Sequence, residues 1–95
     1  MEKDYLKLPC ASGAKPMRQI DWYEGPLSGV CQYSEKKYFY TIVDELHDMG
    51  IERRYTLHHL PPDQLQEALT FENPHKEPYI DKYASNPAVF WTNFH

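Results

Sequence analysis

Hydrophobic and polar residues alternate along four segments of the chain, and this period of two favours β-strands with one buried face. In the first segment, residues 17–23, we expect Ile20 and Trp22 to face the core. The other three segments are 29–33, 38–45 (YFYTIVDE) and 53–60 (RRYTLHHL). Turn residues separate the segments at intervals of about 8 to 12 residues, so the pattern predicts an antiparallel meander of short strands.

The fourth strand leads into a segment with helical periodicity. Pro62 suits the first helical position, where a backbone N–H has no partner within the helix. Leu65, Ala68 and Leu69 recur at the i, i+3 and i+4 spacing that forms one apolar stripe. The pattern predicts a helix within residues 61–73 that packs this stripe on the sheet.

Together these elements predict one α+β domain, in which a four- to five-stranded antiparallel meander, curved or barrel-like, is packed by one helix. A chain of 95 residues is long enough for one hydrophobic core and too short for two. The expected segments are an irregular N-terminal arm (1–16), the β-meander (17–60), the helix (61–73) and a C-terminal loop and strand or docked tail (74–95).

Composition and charge narrow the class of function. Hydrophobic residues make up 41% of the chain and charged residues 25%, which is typical of a folded domain. The net charge is -4, and basic clusters are limited to Lys36-Lys37 and Arg53-Arg54, so direct nucleic-acid binding is disfavoured. No apolar stretch approaches the ~20 residues of a membrane span. We therefore expect a soluble cytoplasmic protein that does not bind a membrane.

The side chains that most often carry chemistry show no catalytic or metal-binding spacing. His58 and His59 are adjacent on a strand and therefore point to opposite faces, which disfavours a shared metal. Cys31 falls on a core face, where a thiol is inert, and a disulfide between Cys10 and Cys31 stays open. We expect no catalytic residue, no metal and no cofactor.

The segment DWYEGPLSGVCQY (21–33) has two interpretations. It is either a recognition loop that anchors a protein partner, because Trp and Tyr are enriched in binding hot spots, or only a turn in which Gly25 and Gly29 adopt positive φ. An exposed aromatic face on the third strand would extend the recognition surface. The candidate partner-binding residues are Tyr23, Glu24, Pro26 and Leu27, with Tyr38 and Tyr40 of the third strand.

We therefore expect a non-enzymatic protein-binding module, of the kind that inhibits a larger protein as immunity proteins and anti-defence proteins do. The alternative is a small-ligand or nucleotide-binding domain, with weak hydrolase activity as an option. Its pocket would contain Tyr23, Tyr40, Asp44 and His58. A homo-oligomer or a subunit of a larger assembly also stays open.

The segments DWYEGPLSGVCQYSEKKYFY and RRYTLHHLPPDQL resemble a group of small bacterial and phage proteins that share a D-W-Y-[DE]-G-P-x-S-G segment. The resemblance covers about residues 20–66 and includes a short hairpin and a strand that enters an L-x-P-x-x-L helix. It implies the same meander and helix, and a bacterial or phage-infected host cell, without implying a chemistry. Pro61 departs from the pattern, because a Thr cap is usual there.

Overall fold

The computed structural model describes residues 4–22, 26–70 and 76–94, with only the backbone described for Trp22, Pro26 and residues 76–78. Five strands form one antiparallel sheet in the order of the chain. They are β1 (Lys15–Trp22), β2 (Pro26–Tyr33), β3 (Lys36–Leu46), β4 (Glu52–His59) and β5 (Ala88–Thr92). The helices are α1 (Pro62–Thr70) and α2 (Lys76–Ala84), and a 3₁₀ helix spans Asp4–Lys7. The predicted α+β meander is confirmed, with five strands and a second helix.

The connections follow from local residue chemistry. Ser34 and Glu35 both have positive φ, 52° and 66°, which is the two-residue turn that suits the twist of a β-hairpin. Gly50 has a φ of 109° in the longer loop between β3 and β4. Gly29, which we expected at the boundary between the turn and the strand 29–33, lies within β2, where it pairs with Gln19 and Tyr40. Gly25 lies outside the described residues.

The N-terminal arm shows that the sheet is strongly curved. Trp91 of β5 receives a hydrogen bond from Ala11 N (2.7 Å) and donates one to the Pro9 carbonyl (3.1 Å). The chain then reaches β1, at the opposite edge of the sheet, by Lys15. The five residues 11–15 span at most about 18 Å. In a flat sheet, the distance from the arm, which lies outside β5, across to β1 would be five strand spacings, or about 24 Å. The sheet therefore curls towards a barrel, although its described strands leave it open between β1 and β5.

Both faces of the sheet are buried. The inner face of the curl packs Cys31, Tyr38, Tyr40, Tyr55 and Leu57 against Ala11 and Ala14 of the arm. The outer face packs Val30 and Phe39 against Leu60, Ala68 of α1 and Tyr83 of α2. Consecutive residues of β3 are therefore buried on opposite sides, with exposures of 8% for Tyr38 and 0% for both Phe39 and Tyr40.

Helix α1 begins at Pro62, as predicted, and its stripe faces the core, with Ala68 fully buried and Leu65 and Leu69 half-buried. Helix α2 is the element that the sequence pattern missed. Pro78 favours a loop in sequence, but it lies in the first turn of α2, where its missing N–H breaks no helical hydrogen bond. Tyr83 then anchors this helix in the core at 0% exposure.

Candidate functional site

An open groove of about 780 Å³ lies at one end of the sheet, where the turn between β2 and β3 meets the end of β4, the start of α1 and the start of β5. Its volume is within the range of about 300 to 1,000 Å³ that is typical of ligand-binding clefts. We call it the hairpin–helix groove. We call its apolar lining residues Tyr38, Leu60, Leu65, Val89 and Phe90 the floor, and its polar lining residues Glu35, Lys36, Lys37 and His59 the rim.

Aromatic packing holds the floor of the groove in place. The Phe90 ring meets Tyr33 and Tyr38 edge to face, with ring centroids 5.1 Å and 5.6 Å apart. Leu60 is 6% exposed and belongs to the core on the other side of the sheet. Because these side chains are part of the packed interior, the floor is preformed and loses little conformational freedom when a ligand binds.

The rim of the groove is basic although the whole chain is acidic. Lys36 and Lys37 begin β3, and His59 ends β4 with an exposed side chain. Among the described residues that line the groove, Glu35 is the single carboxylate. An apolar lining in the same groove as two lysines fits a ligand that is itself apolar and negatively charged. Sequence reasoning noted Lys36-Lys37 as a charge pair and missed the groove, because Leu65 and Phe90 are distant in the chain.

The predicted recognition residues do not form one exposed surface. Tyr23 and Glu24 lie outside the described residues, and Pro26 is described by its backbone only. Leu27 is half-buried in β2. Tyr40 is fully buried, so the expected exposed aromatic face on β3 is corrected to a packed core, and only Tyr38 reaches the groove.

Of the alternative pocket, the structure describes Tyr40, Asp44 and His58, whereas Tyr23 lies outside the described residues. Tyr40 pairs with Leu57 on the inner face, whereas His58 pairs with Phe39, so Tyr40 and His58 point to opposite sides of the sheet. Asp44 lies further along β3 and accepts a hydrogen bond of 2.7 Å from the Tyr5 hydroxyl. These three side chains therefore do not converge on one ligand.

The hydrogen bonds of the His58 ring indicate a structural role. Its Nδ1 lies 2.8 Å from the Asn86 carbonyl oxygen, which only accepts, so Nδ1 donates. Its Nε2 lies 2.8 Å from Thr56 Oγ1 and accepts from that hydroxyl in the neutral ring. Burial lowers the pKa of His58, so the neutral form is favoured.

The two cysteines are free thiols, with Cys10 exposed and Cys31 buried. Burial raises the pKa of Cys31 to about 12, which keeps it protonated and unreactive near neutral pH. Within residues 4–22, 26–70 and 76–94 no three His, Cys, Asp or Glu side chains group as a metal site would require. The helices of this described part are too short and too polar to cross a membrane.

A second exposed feature lies at the other end of β3, at the tip of the hairpin that β3 forms with β4. Met49 is 98% exposed and Ile51 is 69% exposed, and Asp48 beside them is also exposed. Two large apolar side chains that lie so close in the chain and are so exposed make this tip a candidate contact surface. We call Asp48, Met49 and Ile51 the hairpin tip.

Comparison with known proteins gives no match to a family model, to a curated protein or to a solved structure.

Proposed function

We propose that this chain is a non-enzymatic protein-binding module whose hairpin–helix groove accepts an apolar, acidic segment of another protein. The observation that carries the proposal is an apolar lining that includes the packed side chains Tyr38 and Leu60 and that shares one groove with Lys36 and Lys37. Apolar contact with Phe90 and Leu65 supplies the favourable burial, at about 25 cal/mol per Å² of apolar surface removed from water. The two lysines select acidic segments and speed their association.

The finer part of the proposal is that binding at this groove inhibits a larger partner, as immunity proteins and anti-defence proteins do. A folded chain of 95 residues is large enough to cover a standard interface of about 800 Å² per partner. The resemblance of residues 20–66 motivates a bacterial or phage-infected host cell and a cytoplasmic location as part of the same proposal.

Selection from a displayed peptide library on the immobilised protein tests the groove and does not require the partner to be identified first. We expect enriched peptides that combine aromatic or aliphatic residues with Asp or Glu. Lys36→Glu/Lys37→Glu should lose these peptides, because it replaces attraction by repulsion at the rim. The matched control is Lys7→Glu/Lys15→Glu, which changes the net charge equally at exposed positions outside the groove. Peptides that bind Lys36→Glu/Lys37→Glu as well as the wild type would contradict the proposal.

A second candidate function is binding of a small carboxylate with an apolar body, because the groove volume of about 780 Å³ also suits a small ligand. Titration with an aromatic carboxylate such as phenylpropionate, followed by two-dimensional NMR of the labelled protein, distinguishes the two. Saturable shifts at Tyr38 and Phe90 with a small carboxylate, together with failure of the peptide selection, would favour the small ligand.

A further inference from the structure

We infer that the segment accepted by the hairpin–helix groove is the hairpin tip of a second copy of this chain. The inference rests on the proposed binding function of the groove and names its partner. It joins the two exposed features of the described structure, the cleft at one end of β3 and the apolar tip at the other.

The tip has the chemistry of a ligand for the groove. Met49 is almost fully exposed, at 98%, and adds a flexible apolar side chain that adapts to an irregular cleft. Ile51 adds a rigid apolar side chain next to it at 69% exposure. Burial of both in an apolar cleft removes from water the most exposed large hydrophobic side chains of the described residues.

Charge complementarity favours this occupant over a neutral one. Asp48 flanks Met49 on the tip, and Lys36 and Lys37 flank the apolar floor of the groove. A tip seated with Met49 on the floor therefore carries its carboxylate to the basic rim. The tip is thus the kind of acidic, apolar segment that the groove is proposed to accept.

The positions of the two surfaces determine how copies associate. Lys36 begins β3 at the groove, and Leu46 ends it at the base of the tip. An extended strand of eleven residues measures about 36 Å, so a tip cannot fold back into its own groove. Because tip and groove are different patches of one chain, association is head to tail and builds a ring or an open chain of copies.

Sedimentation velocity with paired variants tests this arrangement. We expect the wild-type protein to associate with rising concentration up to about 1 mM, where even an interface with a Kd near that value is populated. Met49→Asp/Ile51→Asp removes the apolar side chains of the tip, and Lys36→Glu/Lys37→Glu reverses the charge of the two rim lysines. Each variant alone should therefore be monomeric. An equimolar mixture retains one intact tip and one intact groove, and should form dimers and nothing larger.

Two further variants sharpen the test. Asp48→Lys should weaken association of the wild-type sequence and restore it when combined with Lys36→Glu/Lys37→Glu, because the charges are exchanged. Lys7→Glu/Lys15→Glu should associate as the wild type does. Two-dimensional NMR spectra check the fold of each variant, above all of those that change Lys37, which is half-buried whereas the other substituted side chains are exposed.

A wild-type protein that stays monomeric at about 1 mM would overturn the inference. Association that is lost in both variants and not recovered in their mixture would overturn the head-to-tail arrangement, because it is the behaviour of a symmetric contact. These outcomes are separate from the proposed function: displayed peptides that still require Lys36 and Lys37 would show that the groove binds another protein. If the protein neither associates nor selects displayed peptides that require Lys36 and Lys37, the proposed function is overturned as well.

Discussion

The Tyr5 hydroxyl donates a hydrogen bond of 2.7 Å to Asp44 Oδ2, across 39 positions of the chain. The same hydroxyl accepts one of 3.3 Å from Arg54, and the Tyr5 ring meets Trp91 edge to face at 5.9 Å. The Arg54 guanidinium in turn lies 5.3 Å from the centre of the Trp91 ring. One buried tyrosine therefore fastens the N-terminal 3₁₀ helix to three strands and keeps the arm along the edge of β5.

Tyr5→Phe keeps the ring contact with Trp91 and removes the hydroxyl. We expect the free energy of unfolding to fall by about 1–2 kcal/mol, because a partly buried hydrogen bond to a carboxylate is lost. Urea unfolding followed by tryptophan fluorescence measures the change. Tyr33→Phe is the matched control, since Tyr33 packs its ring on Phe90 and makes no hydrogen bond through its hydroxyl within the described part of the chain. Equal losses in both variants would contradict the assigned role of Tyr5.

Stability should decrease as the pH falls below the ordinary His pKa of about 6.5, because His58 is buried and its folded pKa is lowered. The unfolded chain binds the proton first, so the stabilising contribution is complete above about 6.5 and is lost between that pH and the lower folded pKa. The hydrogen bond from Arg53 lowers the pKa of Glu45 below its ordinary 4.5. Protonation of Glu45 therefore changes the stability only at more acidic pH.

Urea midpoints measured in steps from about pH 8 to 5 show the effect of His58. His58→Gln keeps a donor and an acceptor without titrating, and should flatten the pH dependence in this window. His59→Gln should leave the dependence in place, since His59 is exposed. A flat profile for the wild-type protein would show that His58 does not resist protonation.

Gly29→Ala should be strongly destabilising, by about 2 kcal/mol or more, because overpacking forces the backbone to shift. A Cβ at this position would clash with the Arg18 carbonyl oxygen of β1 and would lie 2.9 Å from the Tyr40 hydroxyl. Gln19→Ala, at the exposed β1 partner of Gly29, should change stability little. Thermal unfolding of the two variants, followed by circular dichroism, measures the difference. Similar melting temperatures would contradict the close approach of the Arg18 carbonyl oxygen to Gly29.

Tyr40→Phe should be as stable as the wild type or more stable by about 1 kcal/mol. The Tyr40 hydroxyl is buried without a hydrogen-bond partner among the described residues, and burial raises its pKa well above the usual range. Tyr40→Phe keeps the edge-to-face contacts of its ring with Tyr55 and Phe94. A loss of more than about 1 kcal/mol in urea unfolding would show that the hydroxyl is hydrogen-bonded in solution.

Local patterns in the sequence determined the strands and the first helix. Alternation predicted the meander, and Pro62 with the Leu65, Ala68 and Leu69 spacing predicted α1, because the period of a strand or a helix is a property of neighbouring residues. The opposite directions of His58 and His59 followed from the same rule, and their exposures of 7% and more than a third agree with it.

Only the tertiary structure decided which surfaces remain exposed. Both sides of β3 are apolar, so the pattern could not show that helices cover Phe39 while the arm covers Tyr40. The groove exists because the curl of the sheet brings Phe90 beside Lys37 and α1. Such contacts depend on how distant elements pack, and the same local pattern is compatible with several packings. The strand period is therefore encoded locally, whereas the candidate site is a consequence of the assembled fold.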